Sequence, residues 1–285
     1  MDEERREGGR LVLVATPIGN LGDLSDRARR VLEDADTIYC EDTRRTRILL
    51  SAVGIPAGGR LRTLNDHTES EATPEVLARV VAGEDVALVS DAGTPGVSDP
   101  GTRVVAAAAA AGLEVTMAPG PSAPVMALVL SGLPTDRCVI EGFVPRRAGD
   151  RARRIEEWRR ERRTIVALES PVRLATTLEE IARVDPTRRA AVCRELTKTY
   201  EEVVRGTLAD ACAWADREVL GEVTIVVSGR PAAVAEALNP EHYVAEVEAR
   251  VAAGTDRREA VAEVAKALGV PRREVYDAVV AAKRR

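Results

Sequence analysis

Lysine, histidine and paired cysteine are scarce in this 285-residue chain, and each scarcity removes a class of function. The four cysteines, Cys40, Cys138, Cys193 and Cys212, form no CxxC pair, and the only histidines are His67 and His242. Neither a structural zinc site nor a disulfide framework is expected, and no other metal is. Long apolar runs are missing too: Val104–Ala111 and Ala123–Leu130 fall well short of the roughly 20 residues that cross a bilayer. The charged opening Met1–Arg10 does not read as a signal peptide, so a cytoplasmic protein without membrane contact is expected. No GxxxxGK[ST] phosphate loop occurs, and the Gly-containing stretch after the first strand misses GxGxxG, which disfavours phosphate-rich cofactors.

What is present is ordinary for a folded chain: 45% hydrophobic residues, 31% charged residues and a formal net charge of −5. That charge argues against a uniformly basic coat but leaves room for a local basic patch. At about 100–200 residues per domain, the length suggests two domains.

Met1–Gly9 is polar and expected to fray. From Arg10, short β-branched runs alternate with longer amphipathic ones, the signature of a layered α/β fold. Strands are predicted at Leu11–Ala15, Thr37–Cys40, Arg60–Leu64, Val86–Ser90 and Glu114–Ala118. Helices are predicted at Ser25–Glu33, Thr46–Val53, Glu69–Ala82, Gly101–Ala111 and Ser122–Leu130, giving a mostly parallel sheet covered on both faces. Pro145, Gly149 and several arginines interrupt the pattern near Phe143–Asp150, so the expected division is an N-terminal α/β domain at 10–142, a second α/β domain at 143–230 and a small helical C-terminal extension at 231–285. In the second domain strands are predicted at Thr164–Leu168, Ala190–Arg194, Glu201–Gly206 and Val223–Val227. The gap before Glu201–Gly206 is too short for a crossover helix, which predicts an antiparallel pair. The end of the chain is helical in pattern over Glu241–Lys283, with Arg257–Leu268 and Arg272–Ala282 joined by a turn at Gly269-Val270-Pro271.

Ligands of parallel α/β sheets gather outside the carboxyl ends of the strands. Three loops there are rich in Gly and Pro: Thr16–Asp23, Ser90–Gly101 and Ala118–Ala123. Each alone reads as an ordinary strand-to-helix turn; three on one sheet edge read as a binding site held by backbone amides and carbonyls, with Asp91 available for a hydroxyl or an amine.

Leu13-Val14-Ala15-Thr16-Pro17-Ile18-Gly19-Asn20-Leu21-Gly22-Asp23, Glu41-Asp42-Thr43-Arg44, Leu88-Val89-Ser90-Asp91-Ala92-Gly93-Thr94-Pro95 and Pro119-Gly120-Pro121-Ser122-Ala123 together resemble the tetrapyrrole-methylase superfamily. Within it the chain is most similar to the ribosomal RNA branch, whose members 2′-O-methylate a cytidine of 16S rRNA. The likeness continues through Glu141–Pro145, Glu169–Leu174, Arg194–Lys198 and Gly221-Glu222, and covers almost the whole chain from about Arg10. It implies a two-domain tetrapyrrole-methylase-like fold, a homodimer, a 16S rRNA or 30S-subunit substrate, and S-adenosylmethionine bound in the cleft between domains. The cofactor contacts it implies are Pro17, Asp91, Gly93, Thr94, Ser122, Ala123, Leu168, Arg194, Glu195 and Glu222. The chain departs from the branch at Leu168, where a Tyr often precedes Glu-Ser, and in Asn65-Asp66-His67-Thr68-Glu69.

Methyl transfer to a ribose hydroxyl needs donor and acceptor in line, and it is helped by a base. Lys198, Lys266 and Lys283 are the only lysines, and a partly buried Lys, unlike Arg, can act as a base near neutrality. Lys198 therefore reads as a catalytic residue, as a contact to an rRNA phosphate, or as an exposed surface group. Asp42 reads as a substrate contact or a helix N-cap, and Glu169 as a positioning group or a helix cap. His67 suits a base by its ordinary pKa, but a loop histidine is more often a polar surface group. Asp99 reads as a turn residue before Pro100. Phe143 and Tyr200 read as core residues or as platforms for a flipped base.

Basic charge concentrates in Arg146–Arg163, with nine arginines against four acids. Arg146, Arg147, Arg151, Arg153 and Arg154 lack matching acids nearby and are expected to contact RNA, the alternative being a solvated helix with internal Glu–Arg pairs such as Glu157–Arg160; Arg44, with Arg45 and Arg47, makes a smaller cluster. The helical tail carries nine bases and eight acids from Pro240 on, so its charge gives RNA binding little support. Two rivals remain open: a methylase of a tetrapyrrole or other small-molecule or protein substrate on the same fold, and a non-enzymatic RNA-binding module built on the terminal helices.

Overall fold

A computed structural model describes residues 9–183, 185–231 and 239–282. The expected frayed start at residues 1–8, the first residues of the expected helical extension (232–238) and Lys283 lie outside the described residues. The chain divides into two compact units: residues up to Met126 together with Glu195–Glu201, and Ala127–Arg194 together with the chain from Glu202.

The first unit holds five strands, β1 (Arg10–Val14), β2 (Thr37–Cys40), β3 (Leu61–Thr63), β4 (Val86–Val89) and β5 (Glu114–Ala118), all parallel in the order β3-β2-β4-β1-β5. Alternation along the strands builds a core on each face. Val12 and Val14 pack with Ala28 and Leu32 of α1 (Asp26–Asp34) and Leu50 of α2 (Thr43–Ala52). Leu11 and Leu13 face the other way, onto Val76 and Val80 of α3 (Glu69–Val81) and Val104 and Ala108 of α4 (Thr102–Ala110). Cys40 lies in the first of these cores, a small buried hydrophobe. Helix α2 starts three residues earlier than the periodicity predicts, because the Asp42 side chain accepts the Arg44 N–H at 2.8 Å and caps it.

The division between units falls inside α5 (Ala123–Ser131), not near Phe143–Asp150. Cys138–Phe143 is a strand of the second sheet (β6), which makes the Pro- and Arg-rich stretch after it a β–α loop rather than a linker. The strand escapes sequence reading because it is an edge strand with a half-exposed burial pattern and a register shift between Ile140 and Gly142. With β7 (Thr164–Glu169), β8 (Arg189–Arg194), β9 (Glu202–Thr207) and β10 (Val223–Val227) it forms the order β6-β7-β10-β8-β9. Only β6 and β7 run parallel, and the predicted antiparallel pair is β8–β9. Helices α6 (Ala148–Trp158), α7 (Pro171–Ala182) and α8 (Leu208–Ala215) cover this sheet through Ile155, Trp158, Leu174, Leu178, Leu208 and Ala211. The tail helices α9 (Pro240–Ala252), α10 (Arg257–Leu268) and α11 (Arg272–Ala282) enclose a small core of their own around Tyr243, Val247, Val264 and Val275, with Gly269 left-handed at φ 64° in the turn. Phe143 and Tyr200 do not join any core: they are 62% and 72% exposed.

Leu174 is fully buried and Val172, two residues earlier on α7, is 92% exposed. Leu174→Ala is expected to lower the unfolding free energy by about 2–5 kcal/mol and Val172→Ala to change it by less than about 0.5 kcal/mol, measured by urea denaturation.

Candidate functional site

In the first unit β4, β1 and β5 are neighbours and point the same way, so the loops that follow them emerge side by side. Polar ties then join them. Thr16 and Gly93 exchange backbone hydrogen bonds at 2.9 and 3.0 Å, the Thr16 hydroxyl donates to the Ser90 carbonyl at 3.0 Å, and the Thr94 hydroxyl donates to the Pro121 carbonyl at 3.0 Å. Gly93 sits at φ 86°, and a Cβ there would lie 3.3 Å from Ile18, so the tie between the loops requires glycine. Glu69 is buried and accepts the Gly101 and Arg103 N–H groups, both at 2.9 Å, anchoring the far end of the long loop.

The rim of this edge is acidic. Asp91 accepts the Asp42 N–H at 3.1 Å and pairs with Arg45 at 3.3 Å. The Ser90 hydroxyl donates to Asp99 at 2.5 Å. Burial, opposed by that hydrogen bond and reinforced by Asp91 and Asp66, raises the Asp99 pKa above its ordinary value. Burial and the neighbouring Asp91, Asp99 and Asp66 raise that of Glu41. Asp42 is held at about 2 by its side-chain and backbone bonds to Arg44, which it grips with both oxygens.

Residues Glu195–Glu201 belong to this unit although they follow β8 of the second sheet. Glu195 and Thr197 take left-handed conformations at φ 51° and 67°, strained for residues with side chains. The resulting turn lays Lys198 against Gly19, where a Cβ would come within 2.2 Å of the lysine Cγ. The Lys198 ammonium is 2.7 Å from Glu195 Oε1. The Thr197 hydroxyl, beside Gly19, is buried and without a hydrogen-bond partner among the described residues, the kind of group that a bound ligand satisfies. The negative rim and the unsatisfied Thr197 hydroxyl together fit a compact ligand carrying both positive charge and a hydrogen-bonding group.

Of the sequence-predicted residues, Pro17, Asp42, Arg44, Asp91, Gly93, Thr94, Ser122, Ala123, Glu195 and Lys198 all belong to this first unit. Leu168, Glu169, Arg194 and Glu222 belong to the second. Leu168 is a β7 residue whose carbonyl accepts the Val144 N–H, and Glu222 is exposed just before β10. Arg194 is engaged by Glu202 at 3.1 Å. Glu169 is buried, accepting the Thr177 hydroxyl and the Ser170 N–H at 2.7 Å each and pairing with Arg173, so its carboxylate braces the start of α7. His67 is exposed in its loop.

The expected arginine surface needs correction. Arg151 forms two bonds of 2.8 Å to Glu180, Arg154 pairs with Glu141 and Glu157, and Arg153 pairs with Asp150 at 2.7 Å. Asp150 and Glu157 are i,i+3 neighbours of their partners, whereas Glu141 and Glu180 are remote in sequence, which hides that part of the neutralisation from a sequence window. Arg146 and Arg147 stay exposed with no acid in pairing distance among the described residues. Sequence reasoning missed Thr16, Gly19 and Glu69, whose roles are tertiary, and undervalued Asp99, whose place in a loop gave no sign of its burial.

A carboxyl whose folded pKa is raised stabilises the fold below its unfolded pKa and loses that contribution as pH rises through the folded value. Asp99→Asn is therefore expected to gain stability relative to the parent as pH rises from about 4 to 7, read as a widening difference in thermal midpoint. A difference independent of pH would show that Asp99 ionises in the fold as freely as in water.

The family model described as Tetrapyrrole (Corrin/Porphyrin) Methylases matches residues 10–212. The chain is 47% identical over 278 residues to a ribosomal RNA small subunit methyltransferase I of Mycobacterium tuberculosis, covering 97% of this chain and 96% of the relative. It is 40% identical over 282 residues to the protein of that name from Halalkalibacterium halodurans, covering 96% of each. Among solved structures it is similar to diphthine synthase, with a TM-score of 0.57 at 15% identity over 76% of this chain and 90% of that one. It is also similar to a uroporphyrin-III C-methyl transferase from Thermus thermophilus complexed with S-adenyl homocysteine, with a TM-score of 0.51 at 21% identity over 76% of this chain and 97% of that one. At such identities the structures establish the fold; with the model match and the curated relatives, the chain belongs to the tetrapyrrole methylase family.

Proposed function

We propose that this protein is an S-adenosylmethionine-dependent methyltransferase that 2′-O-methylates a cytidine of 16S rRNA in the 30S particle, acting as a cytoplasmic homodimer. The observation that carries the reading is the near-full-length identity to relatives named for small-subunit rRNA methylation. The tied loop edge beside Lys198 supplies it with chemistry. Pro17, Asp91, Gly93, Thr94, Ser122 and Ala123 would hold the donor, whose sulfonium supplies the methyl group when bound. The acidic rim suits a cation and favours it over a neutral product by charge alone.

The protein's part is alignment and control of one proton. Asp91 is held by the Asp42 N–H and Arg45, so its position is fixed before any ligand arrives. Lys198, paired with Glu195 and wedged on Gly19, is a fixed cation for the substrate's phosphate or for its hydroxyl as the proton leaves. Asp42, committed to Arg44, acts by positioning α2 rather than by taking a proton. Glu169 likewise positions rather than reacts. On the RNA side, Arg44, Arg146, Arg147 and Arg153 are the exposed residues of the original set, Arg44 and Arg153 each paired with a neighbouring carboxylate.

Labelled methyl transfer to 30S subunits, free 16S rRNA and a tetrapyrrole, followed by nucleoside analysis, tests the proposal: 2′-O-methylcytidine from 30S subunits is expected, and label confined to the tetrapyrrole would overturn it. Gly19→Ala, by displacing Lys198, is expected to lower turnover by roughly 10²-fold while the protein remains folded. Lys198→Ala with full turnover and unchanged RNA affinity would remove that residue from both of its roles.

A further inference from the structure

The groove between α10 and α11 encloses about 750 Å³ and has a floor of Val261 and Val280 beside the ring of Tyr276, which is 58% exposed. Its rim carries Arg258, Arg272 and Arg273, with Asp256 and Arg257 beside them. The tail's near-even count of bases and acids conceals how the acids are spent. Asp256 accepts the Arg258 and Glu259 N–H groups as the cap of α10. Glu248 holds Arg257 through two bonds, Glu246 holds Arg250, and Glu274 holds Arg159 and Arg160. Arg258 has no carboxylate in pairing distance among the described residues. Among the described residues Arg272 bonds only the Arg258 carbonyl, at 3.1 Å, and Arg273, its side chain 91% exposed, has Asp277 at 3.7 Å. The arginines of α6, by contrast, are largely neutralised.

We infer that this groove is an RNA-binding site for a single-stranded segment of the substrate, with a base against Tyr276 and the valine floor and phosphates on Arg258, Arg272 and Arg273. An apolar floor with one open aromatic ring and a rim on which Arg258 and Arg272 have no carboxylate in pairing distance among the described residues matches a ligand of flat faces and regularly spaced negative charge. Val261 and Val279 belong to the tail core, whereas Arg258, Arg272 and Tyr276 are exposed outside it, so substitutions at those three leave the core packing in place. The site rests on the rRNA reading above and adds to it a contact remote in sequence from the loops.

Anisotropy of a fluorescein-labelled unstructured RNA decamer, titrated with the full-length protein without methyl donor across a salt series, tests it. R258A/R272A is expected to weaken binding at least tenfold and to reduce the salt slope by roughly 1.4. Tyr276→Ala is expected to weaken it roughly tenfold and Tyr276→Phe to retain it. Affinity and slope unchanged in the arginine variant overturn the site, as does loss of binding to a fluorescent polyglutamate peptide with RNA binding intact. Methyl transfer by the unaltered protein reads the rRNA assignment separately: normal 30S methylation with unaffected tail variants sinks only the groove.

Discussion

Two hydrogen bonds exchanged between Thr16 and Gly93 hold the loop after β1 against the loop after β4, and the rest of the candidate site is arranged around them. Parallel strands bring the loops to one edge, but adjacency alone leaves each loop free to move. The reciprocal bond, continued by Thr94 to the Pro121 carbonyl, turns three turns into one surface. It also explains the sequence locally. Threonine at position 16 supplies a hydroxyl for the Ser90 carbonyl, and glycine at 93 accepts both the left-handed backbone and the approach of Ile18.

The electrostatics follow from where acids are placed rather than how many there are. On the loop edge, Glu41 and Asp99 are kept near other carboxylates and away from water, which raises their proton affinity and makes the rim a place where positive charge is welcome. Elsewhere acids are matched to arginines over long sequence distances, as with Glu180 and Arg151. The net charge of −5 is thus the sum of a negative rim, neutralised helices and a positive groove, and it describes none of them.

Much of the fold was legible in the sequence. Thr37–Cys40, Glu114–Ala118 and Val223–Val227 form as predicted, because β-branched runs bounded by turn residues leave little choice. The antiparallel β8–β9 pair followed from loop length alone. The strand Cys138–Phe143 did not, since an exposed, bulged edge strand carries no clean alternation. In the site, the three loops were legible as Gly- and Pro-rich stretches after strands. The fate of individual charges was not: Arg154 meets Glu141, and Lys198 meets Gly19, only through tertiary structure. Phe143 and Tyr200 show the same limit, since hydrophobic identity does not fix burial at an edge or in a turn.

The segment that carries Lys198 has a consequence for how the protein is made. All five strands of the first sheet are complete once Ala118 has been synthesised, whereas Glu195–Glu201 return to that unit only after β6, β7 and β8 have been translated. N-terminal units fold first during synthesis, so the first sheet and its three loops form while the cation that lies against Gly19 does not yet exist. A chain cut at Met126 owns the scaffold without the lysine, and a first segment must run past Glu201 to hold both.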